Sequence, residues 1–206
     1  MLRALILVLI AGLALWGVMS MATKEPPFTV EFSERDFEIR DYPAQAIAEV
    51  LVSGERKEAS SKGFRLLAGY IFGANTRKQS IAMTTPVTQQ AATNEKIAMT
   101  APVIQSGGDG NWMIRFIMPE GATLDSLPQP NDSKVRLRML APQRMAVARF
   151  SGFAREEAVA SNTVALQSFI VAQDLQAIGA PVLAQYNPPW TLWFLRRNEV
   201  MIPVAR

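Results

Sequence analysis

The feature that most constrains this chain is a faint internal echo at a spacing of 98 residues. Phe37, Ile39, Arg40, Gln45, Ile47, Ser53 and Gly54 fall on Val135, Leu137, Arg138, Gln143, Met145, Ser151 and Gly152. Phe37 to Tyr42 alternates apolar and polar side chains, the period of a half-buried strand. Pro43 closes it. Ala44 to Val52 reads as a second strand, with Ala46, Ala48, Val50 and Val52 on one face. After Ser53-Gly54 the period changes to that of a helix over roughly Glu55 to Phe72, ended by Gly73. The same order recurs after Gly152, where the pattern predicts a helix from about Ala154 to Ile178. Further strands are expected near 80–87, 96–104, 111–118, 182–186 and 192–204. The expectation is an α+β fold: a duplicated strand-strand-helix-strand unit with pseudo-twofold symmetry. Its strands form a curved antiparallel sheet or distorted β-barrel flanked by two helices.

A second repetition lies between the halves. Ile81-Ala82-Met83-Thr84-Thr85-Pro86-Val87 is followed 16 residues later by Ile97-Ala98-Met99-Thr100-Ala101-Pro102-Val103. The period is too short for a solenoid unit. Thr, Val and the pre-proline position all favour extended backbone, so two short β-segments at a sheet edge are expected.

Residues Ala4 to Met19 carry no charge, and Arg3 precedes them. This run reads either as a secretory signal peptide cut after Ser20-Met21-Ala22 or as an uncleaved membrane anchor. Both readings divide the chain into an N-terminal segment 1–22 and a domain 23–206, and both place the domain outside the cytoplasm. The expected location is the cell envelope, anchored in the inner membrane or free in the periplasm.

The chain has no histidine and no cysteine. That removes thiolate and imidazole zinc sites, the Ser-His pair, the Cys nucleophile and any disulfide. The net charge is +3, with basic residues dispersed among acids rather than gathered in a tract. Nucleic acid is therefore not an expected partner.

Several longer segments carry a resemblance. They are Phe37 to Pro43, Gly63 to Asn75, Lys96 to Val103, Tyr186 to Thr191 and Arg196 to Val200. In this order they resemble the SOUL heme-binding protein family over nearly everything from Phe28 onward. The resemblance implies a distorted β-barrel with two helices, and a tetrapyrrole docked beside the first helix without an enzymatic step. A more distant likeness is to gyrase-inhibitor-like effector domains, which take amphipathic or cationic small molecules. The histidine that some family members offer to heme iron has no counterpart here. Heme is thus expected, if bound, without histidine ligation, held by Tyr, Met, water or chiefly the apolar face of the ring.

The candidate contacts with heme are Lys62, Phe64, Arg65, Leu67, Ala68 and Ile71 on the first helix, Met83 and Met99 in the heptapeptides, and Glu199 in the last strand. The helix carries a second apolar stripe of Phe64, Ala68, Ile71 and Phe72. It is either a ligand platform, with Arg65 or Lys62 pairing a carboxylate, or a face covered by a loop or the other helix. Met83 and Met99 are soft ligand contacts or core filler. Tyr42, Tyr70 and Tyr186 are the only phenols. Glu199 is a pocket carboxylate for cations or the partner of a neighbouring arginine. No nucleophile–base pair is evident, so a binding protein is expected rather than an enzyme. A hydrolase using a pocket Glu and Tyr is the third reading.

Overall fold

Two nine-residue strands anchor the architecture, and they stand 98 residues apart to the residue: β3 (Gln45–Ser53) and β7 (Gln143–Ser151). The computed structural model describes residues 25–91, 110–188 and 190–205. Around these two strands lie β1 (Thr29–Glu34), β2 (Phe37–Tyr42), α1 (Arg56–Ile71), β4 (Val87–Ala91), β5 (Asn111–Ile117) and β6 (Arg136–Leu140). The second half continues with α2 (Glu156–Ala172), β8 (Gln176–Ala177), β9 (Val182–Gln185), a 3-10 turn (Trp193–Leu195) and β10 (Arg197–Ala205). One antiparallel sheet runs β1-β2-β7-β10-β9-β4-β5-β3-β6, and β8 pairs with β10. With its two helices this is the α+β half-barrel expected from the repeat.

The duplication is visible in the pairing. The first strand of each half crosses over to the second strand of the other, β2 onto β7 and β6 onto β3. In both pairs the residue numbers of partners add to the same value, as in Phe37↔Ala148 and Gln45↔Leu140. Two-fold symmetry under a shift of 98 requires that identity. The halves meet where β4 pairs with β9.

Strand alternation sorts side chains onto two faces. Ala46, Ala48, Val50, Ile114 and Phe116 pack under α1 with Leu67, Tyr70 and Ile71. Ile39, Ala146, Ala148, Val200 and Ile202 pack under α2 with Leu166, Phe169 and Ile170. The opposite face gathers Tyr42, Met145, Val147, Val182, Ala184, Tyr186 and Met201. Gly63 lets α1 come close to β5: a β-carbon there would stand 2.4 Å from Ile114 Cγ1.

Three local expectations are corrected, and one strand is added. The first heptapeptide is not a strand: regular pairing begins only at Val87, and the Thr85–Pro86 peptide is cis. Thr84 is buried instead, its hydroxyl donating to the Ile117 carbonyl. The second helix ends at Ala172, not near 178, because Asp174 turns with φ 55° and Leu175 N–H caps back onto Ile170. Leu192–Leu195 is not strand but the 3-10 turn before β10. Thr29–Glu34, unassigned from sequence, is a strand paired with β2. The second heptapeptide, Met99 included, and the run Ala4–Met19 lie outside the described residues. Among the described residues no helix is long and apolar enough to cross a membrane.

Candidate functional site

Helical spacing divides the predicted contacts on α1. Leu67 and Ile71 point down into the core and are fully buried, so they support the helix rather than face a ligand. Phe64 sits at the boundary, 38% exposed, with its ring edge-on to Phe116 at 5.3 Å. Ala68, one turn on, is half-buried and Phe72 is exposed. Lys62 lies two residues before Phe64, a rotation of about 200° on the helix, so it faces the other flank. Arg65 is exposed between them. Phe64 and Lys62 therefore cannot make one compact contact. Met83 is half-buried and packs against the core beneath α1.

On the Lys62 flank the helix borders an open groove of about 430 Å³. Leu51, Val52 and Ser53 of β3 form one wall, Lys62, Arg65 and Leu66 the other, and Lys134 closes an end. Leu51 is exposed because strand alternation turns it away from the core beneath α1. A second groove of about 300 Å³ shares Leu51 and Lys134 and adds Glu49, Met113, Ser133 and Arg136. Lys62, Arg65 and Lys134 thus surround an apolar strip, which suits a flat apolar molecule bearing carboxylates. Glu58 reaches Lys62 only at 4.0 Å, with both side chains largely exposed. Sequence reading missed Leu51 and Lys134. Lys134 comes from the loop before β6, and only the β3–β6 pairing brings it beside α1.

Glu199 is no open carboxylate. It is fully buried and receives five hydrogen bonds: two from Arg40, two from Arg197 and one from the Tyr186 hydroxyl. Burial pushes its pKa up. The Arg40 and Tyr186 hydrogen bonds and the Arg40 and Arg197 charges outweigh that and hold it below the ordinary glutamate value. No acceptor site is left for a cationic ligand. The ring of Phe28 lies 4.5 Å from the Arg40 guanidinium and covers the network. Nearby, the cleft between the two halves, lined by Tyr42, Gln45, Thr88, Arg115 and Met201 among others, holds only about 100 Å³. That is below the usual range for an organic ligand.

The three phenols are likewise committed. Tyr70 is buried and donates to the Pro128 carbonyl at 2.8 Å. Tyr42 accepts from Arg40 at 3.1 Å. Tyr186 is spent on Glu199. Burial raises the pKa of all three, Tyr186 furthest, with the Glu199 charge adding to it. A phenolate for ferric iron is thus disfavoured at each position. Among the described residues, the groove beside α1 offers apolar surface and cations, and each phenol is engaged in a hydrogen bond.

Residues 23–203 match the model of the SOUL heme-binding proteins. The chain belongs to the SOUL heme-binding protein family. Heme-binding protein 2 of Mus musculus is 24% identical over 191 residues, 88% of each chain. Heme-binding protein 2 of Homo sapiens is 28% identical over 175 residues, 79% of each chain. The fold is shared more widely. The EcmrR C-terminal domain superposes with a TM-score of 0.61 at 8% identity, over 82% of this chain and 97% of that one. A Listeria innocua protein described as a hydrolase gives 0.60 at 12% identity, over 85% and 94%. These two likenesses concern the fold alone. The chain itself has no histidine.

Proposed function

We propose that this chain holds heme or a related tetrapyrrole reversibly and without transforming it, as a buffer, carrier or sensor in the cell envelope. The observation that carries the site is the groove beside α1, lined by Lys62, Arg65 and Lys134 together with Leu51, Val52 and Leu66. The ring lies on Leu51, Val52 and Leu66, and the cations meet its carboxylates. Affinity comes mainly from apolar burial, at about 25 cal/mol per Å² before the costs of association. Each partly exposed carboxylate pair adds about 1 kcal/mol or less. Family membership supports the ligand class. The unused run Ala4–Met19 supports the envelope location. The absence of histidine and cysteine, with Glu199 and Tyr186 locked together, supports binding over catalysis.

Titrating full-length protein with hemin tests this through the Soret band. A saturable site with Kd below ~10 μM, about −7 kcal/mol, is expected. Leu51→Asp and Lys134→Glu should weaken it by about tenfold each, the effect of losing ~1.4 kcal/mol. Absence of saturable binding overturns the reading. If Phe64→Asp weakens binding and Leu51→Asp does not, the ring lies on the other flank of α1 and the groove assignment fails.

A further inference from the structure

A cluster of apolar side chains shares no residue with that groove. Phe153, Trp190, Leu192, Trp193, Phe194 and Leu195 are each between 45% and 66% exposed. Soluble monomers seldom show so many large apolar side chains together. Their exposure does not come from a loose loop. Thr191 N–H donates to Pro188, Leu195 N–H to Leu192 and Arg196 N–H to Trp193, and the Arg196 guanidinium ties back to the Thr191 carbonyl at 2.8 Å. Trp193 stacks on Phe153 with centroids 6.5 Å apart and meets Phe194 edge-on at 5.7 Å. The turn is built to hold these rings outward.

We infer that this aromatic turn is a membrane-contact surface that seats the domain on the headgroup region of a lipid bilayer. Two further observations select a bilayer. First, the composition is that of an interface. Trp and Leu are flanked by Arg155 and Arg196, whose guanidinium groups lie 5.6 and 4.9 Å from the Phe153 ring. Tryptophan prefers the headgroup level, and arginine stems lie along apolar surface while their heads reach phosphates.

Second, the chain enters the described structure at the root of the same turn. The Glu25 carboxylate is held by Arg197 at 2.8 Å, and Arg197 directly follows the turn. Only Ser20 to Lys24 separate Glu25 from the uncharged run Ala4–Met19. Six extended residue steps span at most about 20 Å. If that run enters a bilayer, the domain is held against it by the surface nearest Glu25. This inference does not depend on the tetrapyrrole reading, because the turn and the groove share no residue.

The chain's four tryptophans are Trp16, Trp112, Trp190 and Trp193, which supplies the test. Full-length protein carrying Trp16→Phe is reconstituted in phosphatidylethanolamine–phosphatidylglycerol vesicles, with lipids brominated near the headgroup end of the chains. Trp112 is half-buried and bonded to the Gly54 carbonyl, and it serves as an unquenched reference. Shallow bromine should quench the turn's emission at least about twofold, as expected for indoles at headgroup depth. The added pair Trp190→Phe and Trp193→Phe should abolish the quenchable part. Leu195→Asp, an exposed change that leaves both indoles in place, should reduce it. Equal quenching with and without Trp190 and Trp193 overturns the inference. So does shielding of the turn from aqueous acrylamide without bromine quenching, which would mean that another protein surface covers it.

Discussion

Arg40 and Glu199 lie 159 residues apart in sequence and meet through two parallel hydrogen bonds of 2.9 and 3.0 Å in the buried middle of the sheet. Arg40 comes from β2 in one half and Glu199 from the last strand of the other, so the pair ties the two halves together. Arg197 and Tyr186 complete the carboxylate's shell.

Removing the carboxylate should therefore be costly. Glu199→Ala leaves Arg40, 2% exposed, with only the half-buried Glu38 at its Nε and no carboxylate facing Nη1 and Nη2. Breaking a buried pair from one side costs about 3–5 kcal/mol. Urea unfolding should show that loss in the midpoint, with an unchanged slope. Hemin affinity of the folded fraction should stay within about twofold, because the network is remote from the groove. A large loss of affinity with unchanged stability would restore Glu199 to the ligand site.

The same network sets a pH dependence. The folded-state pKa of Glu199 is depressed below the usual 4.5. Its contribution is present above the unfolded-state pKa and is lost as pH falls through the folded value. Stability should thus decline below about pH 4.5, and Glu199→Gln should flatten that decline. Asp41, paired with Arg144 at 2.6 and 2.7 Å, is shifted the same way at the surface and adds to the slope. At alkaline pH the sign reverses. The raised phenols of Tyr42, Tyr70 and Tyr186 keep their protons after the unfolded chain has begun to lose them near pH 10. Stability should fall again above that. Guanidinium melts across the pH range check both limbs.

The lack of histidine and cysteine has its own consequence for a bound tetrapyrrole. With the three phenols engaged and no histidine present, metal-free protoporphyrin should bind within about tenfold of hemin, a difference of ~1.4 kcal/mol. Parallel fluorescence and absorbance titrations measure the ratio. A thousandfold preference for hemin would mean that an axial ligand dominates.

Much of the fold was legible because strand and helix periods repeat at one spacing. The bounds of β3 and β7 correspond residue for residue, and α1 falls within a residue of expectation at each end. Illegible features were those set by distant partners or by single backbone turns. Nothing near Ala172 signals a stop, since the next glycine is Gly179, and Asp174 turns the chain without one. The apolar stretch Leu192–Leu195 mimics a buried strand, yet its side chains face outward. At the site, Lys62 and Arg65 could be read from the helix. Leu51 and Lys134 could not, because their approach depends on the cross-pairing of β3 with β6. Glu199 and its neighbouring arginine were visible together, but Arg40, the partner that buries the carboxylate, is most of the chain away.

Two glycines of α1 should respond in opposite directions to the same substitution. In a solvent-facing helix interior, alanine is favoured over glycine by up to about 1 kcal/mol. Gly69 has that freedom, since a β-carbon there would meet nothing nearer than Ala74 Cβ at 4.0 Å. Gly69→Ala should raise stability by a few tenths to about 1 kcal/mol. Gly63 faces β5, and its β-carbon would stand 2.4 Å from Ile114 Cγ1 and 2.8 Å from Ile114 Cβ. Ile114 is itself fully buried at the centre of the core and has no space to retreat. Overpacking of this kind costs about 1–3 kcal/mol, which exceeds the propensity gain. Gly63→Ala should therefore lower the thermal midpoint, at about 2–4 °C per kcal/mol for a domain of this size. Adding Ile114→Ala, which removes Cγ1 and Cγ2, should relieve the contact, so the double variant loses less than the sum of the two single losses. A Gly63→Ala protein as stable as the parent would show that α1 does not seat on β5 as closely as described.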